Sequence, residues 1–174
     1  MLDAGGGAIT TLILRNSHGG DADTGYKVGD LARARGLRTA VSGYCLSSCS
    51  RIFLGGAERY FTDQEPAGKT HVGFHGNYDS NGTVKLENSW RLQEWIVAHS
   101  DGKADLDLVK RWTSIKNRKG FAHFFDSERL HRKDGVSIFL CTGAEASFNE
   151  CEKIVGKTGY DLGIFTSKTL IHVN

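Results

Sequence analysis

Apolar positions along this chain fall into blocks that switch between a strand period and a helix period. Thr10-Thr11-Leu12-Ile13-Leu14 is a short β-branched run ending in the turn-forming Asn16-Ser17-His18-Gly19-Gly20, which predicts a buried strand. Over residues 24–35, Tyr26, Val28, Leu31 and Ala34 recur at helical spacing until Gly36 stops the pattern. A second strand follows over residues 37–42. Strand, helix and strand make a βαβ unit, so these two strands are expected to be parallel with a right-handed crossover. After Cys45-Leu46-Ser47-Ser48-Cys49, residues 50–55 read as a short buried helix and residues 70–74 as a third strand. The loop between them carries the single proline, Pro66. From 88 to about 130 the pattern reads as helical, through Trp90, Leu92, Trp95, Ile96, Leu106, Val109, Trp112, Phe121, Phe124 and Phe125. A strand is expected over 136–140, a helix near 143–155, and a last extended piece around 162–165. The resulting class is α/β.

Length narrows this to one domain: 174 residues with 39% hydrophobic content can bury one sizeable core but fall short of two ordinary domains. No internal repeat or linker divides them. The net charge of +2 arises from 22 basic and 20 acidic residues, mostly interspersed, so no single-sign field points to nucleic acid or an anionic membrane. The densest basic stretch, over 110–119, reads as a solvated helix face. No run reaches the roughly 18 apolar residues of a membrane span, and Met1-Leu2-Asp3-Ala4-Gly5-Gly6-Gly7 lacks the regions of a signal peptide. Its glycine run followed at once by a strand reads as a trimmed start, with a leader or first strands missing.

The four cysteines form two close pairs, Cys45 with Cys49 and Cys141 with Cys151, without Cys-x-x-Cys metal spacing. If Ser47 opens a helix, Cys45 and Cys49 stand about one turn apart, within reach of a bridge that implies an oxidising compartment. Two small buried thiols in a reduced protein are the alternative. No residue set calls for a metal or an organic cofactor.

Chemistry concentrates in three segments, Arg15 to Gly20, Cys45 to Cys49, and Gly73-Phe74-His75-Gly76, each at the end of a predicted strand, where α/β folds bind ligands. A serine hydroxyl attacks only when a base takes its proton and preorganised donors meet the oxyanion. Ser47 suits both needs: at a strand-to-helix turn the Ser48 N–H points with the positive helix end at the developing charge. Gly19-Gly20 can bring a second N–H close, and His75 is the candidate base. Singly, each signal is weak. Serines before helices are most often N-caps, a Gly-Gly pair is an ordinary turn, and one histidine among seven is usually structural.

The joint order resembles the Clp protease/crotonase superfamily, most closely its ClpP-like serine peptidases, including predicted periplasmic members with a Cys-x-Ser-Ala-Cys motif. The match runs over residues 12–75. Where that family has Asn-Ser-Pro-Gly-Gly, this chain has Asn16-Ser17-His18-Gly19-Gly20, with histidine for proline. The resemblance implies a ClpP/crotonase-like spiral of βαβ units with a mainly parallel sheet, and an oxyanion-hole N–H from Gly20. Counting nine residues back from Gly56 in Phe53-Leu54-Gly55-Gly56 gives Ser47 as nucleophile and the Ser48 N–H as the other donor. The family's histidine carries to His75, with His71 as competitor at the start of the same strand. The segment 140–146 is a counterpart of the family's region after the catalytic acid, which makes Asp134 the expected third triad member and Asp126 the second candidate. A surface aspartate at a Lys-Asp-Gly turn is the other reading of Asp134.

The leading expectation is therefore a serine hydrolase that cleaves peptide bonds through an acyl-enzyme with a Ser47-His75-Asp134 triad. A Ser-Lys dyad like that of signal-peptide-peptidase relatives would make His75 dispensable. A catalytically inactive binding or assembly module, or a crotonase-type acyl-CoA enzyme, would keep the fold without needing Ser47 and His75 together. The resemblance further implies a peptide or protein substrate, a homo-oligomer, no nucleic-acid partner and no stable membrane insertion. A periplasmic or secreted location follows from it together with the paired cysteines, while the reduced alternative leaves the cytoplasm open.

Overall fold

A computed structural model describes residues 9–173; the expectation of a trimmed start at residues 1–7 lies outside them. The chain builds β1 (Thr11–Ser17), α1 (Ala22–Ala34), β2 (Arg38–Leu46), α2 (Ser48–Gly55), β3 (Glu58–Thr62) and β4 (His71–Phe74), then α3 (Ser89–His99) and α4 (Leu106–Thr113). It closes with β5 (Phe121–Phe125), β6 (Ile138–Cys141), β7 (Glu152–Lys153) and β8 (Leu170–Ile171). One eight-stranded sheet runs β7-β6-β5-β4-β2-β3-β8, with β1 paired to β2. The β1–β2, β2–β3, β2–β4 and β3–β8 pairings are parallel, and β5, β6 and β7 continue the sheet antiparallel. The α/β class with a mainly parallel sheet is as expected.

β2 is the spine. Its first half lies against β3 and its second half against β4, so it is buried over most of its length. Burial on both faces explains the sequence Thr-Ala-Val-Ser-Gly-Tyr-Cys, where small and apolar residues follow one another without alternation. α1 starts at Asp21, whose side chain accepts from the Thr24 N–H at 2.7 Å. Its buried face carries Gly25, Gly29 and Ala32, and there it meets α2 backbone to backbone. A Cβ on Gly29 would stand 2.7 Å from the Arg51 carbonyl oxygen, so glycine lets the two helices touch. The main core gathers Phe53, Phe61, Phe74, Trp112 and Phe124; each fully buried phenylalanine contributes about 2–3 kcal/mol.

Four expectations are corrected. Residues 121–125 are a strand where a helix was expected: the run Phe-Ala-His-Phe-Phe fits either period, and pairing with β4 and β6 decides it. β3 was not anticipated, because Glu58 and Arg59 interrupt its apolar signal; Arg59 is nevertheless buried, its guanidinium donating to the Gly56, Gly163 and Ile164 carbonyls. Those same bonds hold 162–165 as a buried turn, and the last strand lies further on at β8. Residues 143–155 form no α-helix. The Cys141–Cys151 disulfide holds those two residues 4.7 Å apart at Cα, whereas ten residues of helix between them would span about 15 Å. A single 3-10 turn at Phe148–Glu150 and strand β7 fill the gap.

Candidate active site

Ser47 sits between the end of β2 and the start of α2 with φ 57° and ψ −126°, a conformation that few non-glycine residues adopt. Its N–H donates to the Gly73 carbonyl at 3.0 Å, and its carbonyl accepts from both the N–H and the hydroxyl of Ser50 at 3.0 and 2.6 Å. The backbone is thus fixed at both ends. The Ser47 side chain makes no capping bond to the helix, so the N-cap reading is set aside in favour of a hydroxyl turned elsewhere. Its Oγ lies 2.8 Å from Nε2 of His75. The Cys45–Cys49 disulfide closes a loop around the same turn, with Cα atoms 5.3 Å apart.

His75 follows β4, and its ring stacks on Phe121 of β5 at 4.2 Å between centroids, with an interplanar angle of 17°. Burial, followed by repulsion from the Arg51 guanidinium, lowers its pKa to about 4. The ring is therefore neutral at pH 7. With the proton on Nδ1, the Ser47 hydroxyl donates to Nε2, the arrangement a general base requires. Nδ1 is buried and makes no hydrogen bond, although the Arg118 and Gly120 carbonyls lie close enough to favour the charged ring.

The expected acid is elsewhere. Asp134 belongs to the β5–β6 connection, and because β5 runs antiparallel to β4, that connection lies at the His71 end of β4, across the ladder from His75. There Arg132 and Lys153 both bind the Asp134 carboxylate at 2.9 Å and hold its pKa far below the usual range. This is the surface-turn role. Asp126 lies at the same far end, bonded to Arg129 and accepting from the Tyr160 hydroxyl at 3.0 Å. His71 is also there, packed against His123, Phe125 and Phe148.

Gly20 and Ser48 flank the nucleophile. Gly19, at φ 86°, presses so closely on the turn that a Cβ there would stand 2.8 Å from the Ser48 nitrogen and 2.7 Å from the Ser47 Cβ. Nothing lies within 4 Å of a Cβ built on Gly20, which borders open space. Neither the Gly20 nor the Ser48 N–H donates to a protein acceptor among the described residues. Both belong to segments that meet in front of Ser47 through the parallel β1–β2 pairing, which slips register between Arg15 and Ser17 just before the glycine turn.

Ser47, His75 and Gly20 open on one cavity of about 720 Å³, within the range of small-ligand sites, while Gly19 and Ser48 line a smaller one of about 270 Å³ that shares Gly20 with it. Most of the larger cavity's other lining side chains, Arg51, Asn77, Tyr78 and Phe121 among them, carry no site signal in the sequence. Arg51 and Phe121 fall in runs whose pattern reads as apolar helix, and nothing local marks them as cavity-lining. His18, in place of the family's proline, also lines the cavity, with Nε2 3.0 Å from the Tyr44 hydroxyl. Among the described residues no group of three or more histidine, cysteine, aspartate or glutamate side chains is arranged to hold a metal ion, and no helix is long and apolar enough to cross a membrane.

Compared with solved structures, the chain superposes on ClpP1 from Listeria monocytogenes with a TM-score of 0.50, at 12% identity, covering 96% of this chain and 76% of that one. The fold is ClpP-like. A point mutant of ClpP1 from the same organism also matches, at a TM-score of 0.44 and 14% identity over 64% of each chain. No protein-family model and no curated protein matches the sequence. At such identities the likeness extends to the backbone path alone, and the chemistry of the site rests on the side chains described above. Both cysteine pairs are bonded, consistent with an extracellular or other oxidising location.

Proposed function

We propose that this chain is a serine hydrolase that cleaves peptide bonds through an acyl-enzyme, with Ser47 as nucleophile, His75 as general base and then general acid, and the Gly20 and Ser48 N–H groups as the oxyanion hole. The observation that carries this reading is the 2.8 Å contact between Ser47 Oγ and His75 Nε2 at a strained strand-to-helix turn. His75 takes the hydroxyl proton as the oxygen attacks the carbonyl carbon and delivers it to the leaving amine when the tetrahedral adduct collapses. The imidazolium is stabilised by the developing oxyanion and by the Arg118 and Gly120 carbonyls, in place of a carboxylate from Asp134. Lys85 and Lys119 border the cavity, but Ser47 Oγ bonds to the imidazole, which favours a Ser-His pair over a Ser-Lys dyad. The reading extends to a peptide or protein substrate, assembly into a homo-oligomer and a periplasmic location.

One observation favours the alternative of a catalytically inactive binding or assembly module: the acid expected behind His75 is engaged by Arg132 and Lys153. A fluorophosphonate probe separates the two. The wild-type protein is expected to label on Ser47, Ser47→Ala to lose labelling completely, and His75→Ala to slow it about 100-fold or more. No labelling of folded wild type supports the inactive module, and labelling that survives Ser47→Ala overturns the nucleophile. Full labelling of His75→Ala removes the base.

A further inference from the structure

The wall of the Ser47 cavity holds a cation without an anion of its own. Arg51 lies one helical turn beyond Ser47 in α2, and only 3% of its surface is exposed. Its guanidinium lies over the Tyr26 ring at 4.5 Å from the centroid, and Nη2 donates to Asn77 Oδ1 at 2.6 Å. Nη1 is buried and has no partner. Among the described residues no carboxylate comes within ion-pair distance of it. Asp21 and Asp23 line the same cavity and favour the charged guanidinium from a distance, but Asp21 is committed to the Thr24 N–H and hydroxyl at 2.7 Å each, and Asp23 is exposed. Lys85, Arg118 and Lys119 add further positive charge to the lining, and Asp79 a further carboxylate.

A buried guanidinium with an unmet donor is costly, and its planar fork matches a carboxylate better than any neutral group. We propose that Arg51 is a specificity residue that receives a carboxylate of the substrate, so that the cavity selects acidic peptides. The inference rests on the hydrolase reading for the word substrate, but the binding it describes does not require turnover. The chemistry is a single negative charge on a planar group. Asp21, Asp23 and Asp79 in the same lining disfavour anything more highly charged. The carboxylate comes either from an acidic side chain or from a peptide C-terminus.

Both sources are tested by binding to Ser47→Ala, which cannot turn substrate over. The probes are an acetylated, amidated tetrapeptide of alanines with one glutamine moved through its positions, the same peptides with glutamate instead, and the neutral peptide with a free C-terminal carboxylate. At least one carboxylate peptide is expected to bind about tenfold more tightly than its neutral parent. Gain on a glutamate peptide identifies the side chain, and gain on the free acid identifies the terminus. The advantage is expected to vanish in Ser47→Ala/Arg51→Met and to survive in part in Ser47→Ala/Arg51→Lys, whose retained charge guards against a merely unfolded variant. Equal binding of charged and neutral peptides, or a preference that persists without the Arg51 charge, overturns the proposal. Either result stands apart from fluorophosphonate labelling of wild type, whose failure would sink the hydrolase reading alone.

Discussion

At the scale of single residues, three histidines are held neutral by burial, and they bear on different properties. His75 governs reactivity. With its pKa lowered to about 4, the labelling rate of Ser47 is expected to hold its plateau from pH 8 to about pH 5 and to fall only below that, with the fold monitored by circular dichroism. An acid limb near the ordinary histidine value of about 6.5 would contradict the buried, neutral base. Arg51→Met removes a repulsion and is expected to move that limb upward. His71 and His123 govern stability. Burial lowers their pKa values to about 4 and about 3, with His71 and His75 repelling charge on His123. The unfolded chain, with histidines near 6.5, binds more protons than the folded one, so stability rises with pH. The contribution is complete above about pH 6.5 and is lost as pH falls towards 4 and 3, on the order of 3–5 kcal/mol per ring, and His75, lowered as far as His71, adds a like amount. Urea melts at pH 7.5, 5.5 and 4.5 read this loss, and His123→Gln is expected to flatten it.

At the scale of elements, the nucleophile depends on how closely α1 and α2 approach. Gly29→Ala inserts a methyl group 2.7 Å from the Arg51 carbonyl oxygen and is expected to cost about 1–3 kcal/mol in a denaturant titration. Because the same displacement shifts α2, Ser47 labelling should slow in protein that remains folded. The Cys141–Cys151 disulfide braces the strand behind the site: Cys141 pairs across the ladder with Phe121, whose ring stacks on His75. It closes a loop with a sequence separation of 10, and replacing both cysteines by serine is expected to remove about 3 kcal/mol and, by loosening β6 behind Phe121, to slow the labelling of folded protein severalfold. An unchanged labelling rate would show that Phe121 keeps its place on His75 without that brace.

At the scale of the molecule, the segment from β1 to β4 was legible and the remainder less so. Residues 10–75 carry their information locally: β-branched runs, a glycine stop after α1, and turn residues at the strand ends make three strands and two helices visible in order, and the resemblance of the motifs at those strand ends points to Ser47 and His75. Beyond Gly76 the aromatic residues gave period without partner. Phe121, Phe124 and Phe125 are strand residues because β4 and β6 are there to receive them, and no property of the pentapeptide itself decides this. Asp134 was chosen by its distance along the chain from a motif, and the antiparallel turn of β5 carried it to the opposite end of the ladder. By itself the sequence determined the α/β class and the parallel βαβ start, because each is encoded by short-range spacing that fixes local backbone geometry, whereas Ser47 and His75 were pointed to by the resemblance of their motifs. Only the tertiary structure decided that Asp134 stands away from His75, that β5 closes the site with Phe121, and that a buried Arg51 faces the same cavity. Those outcomes depend on which distant segments pack together, and burial then sets the charge state of each group.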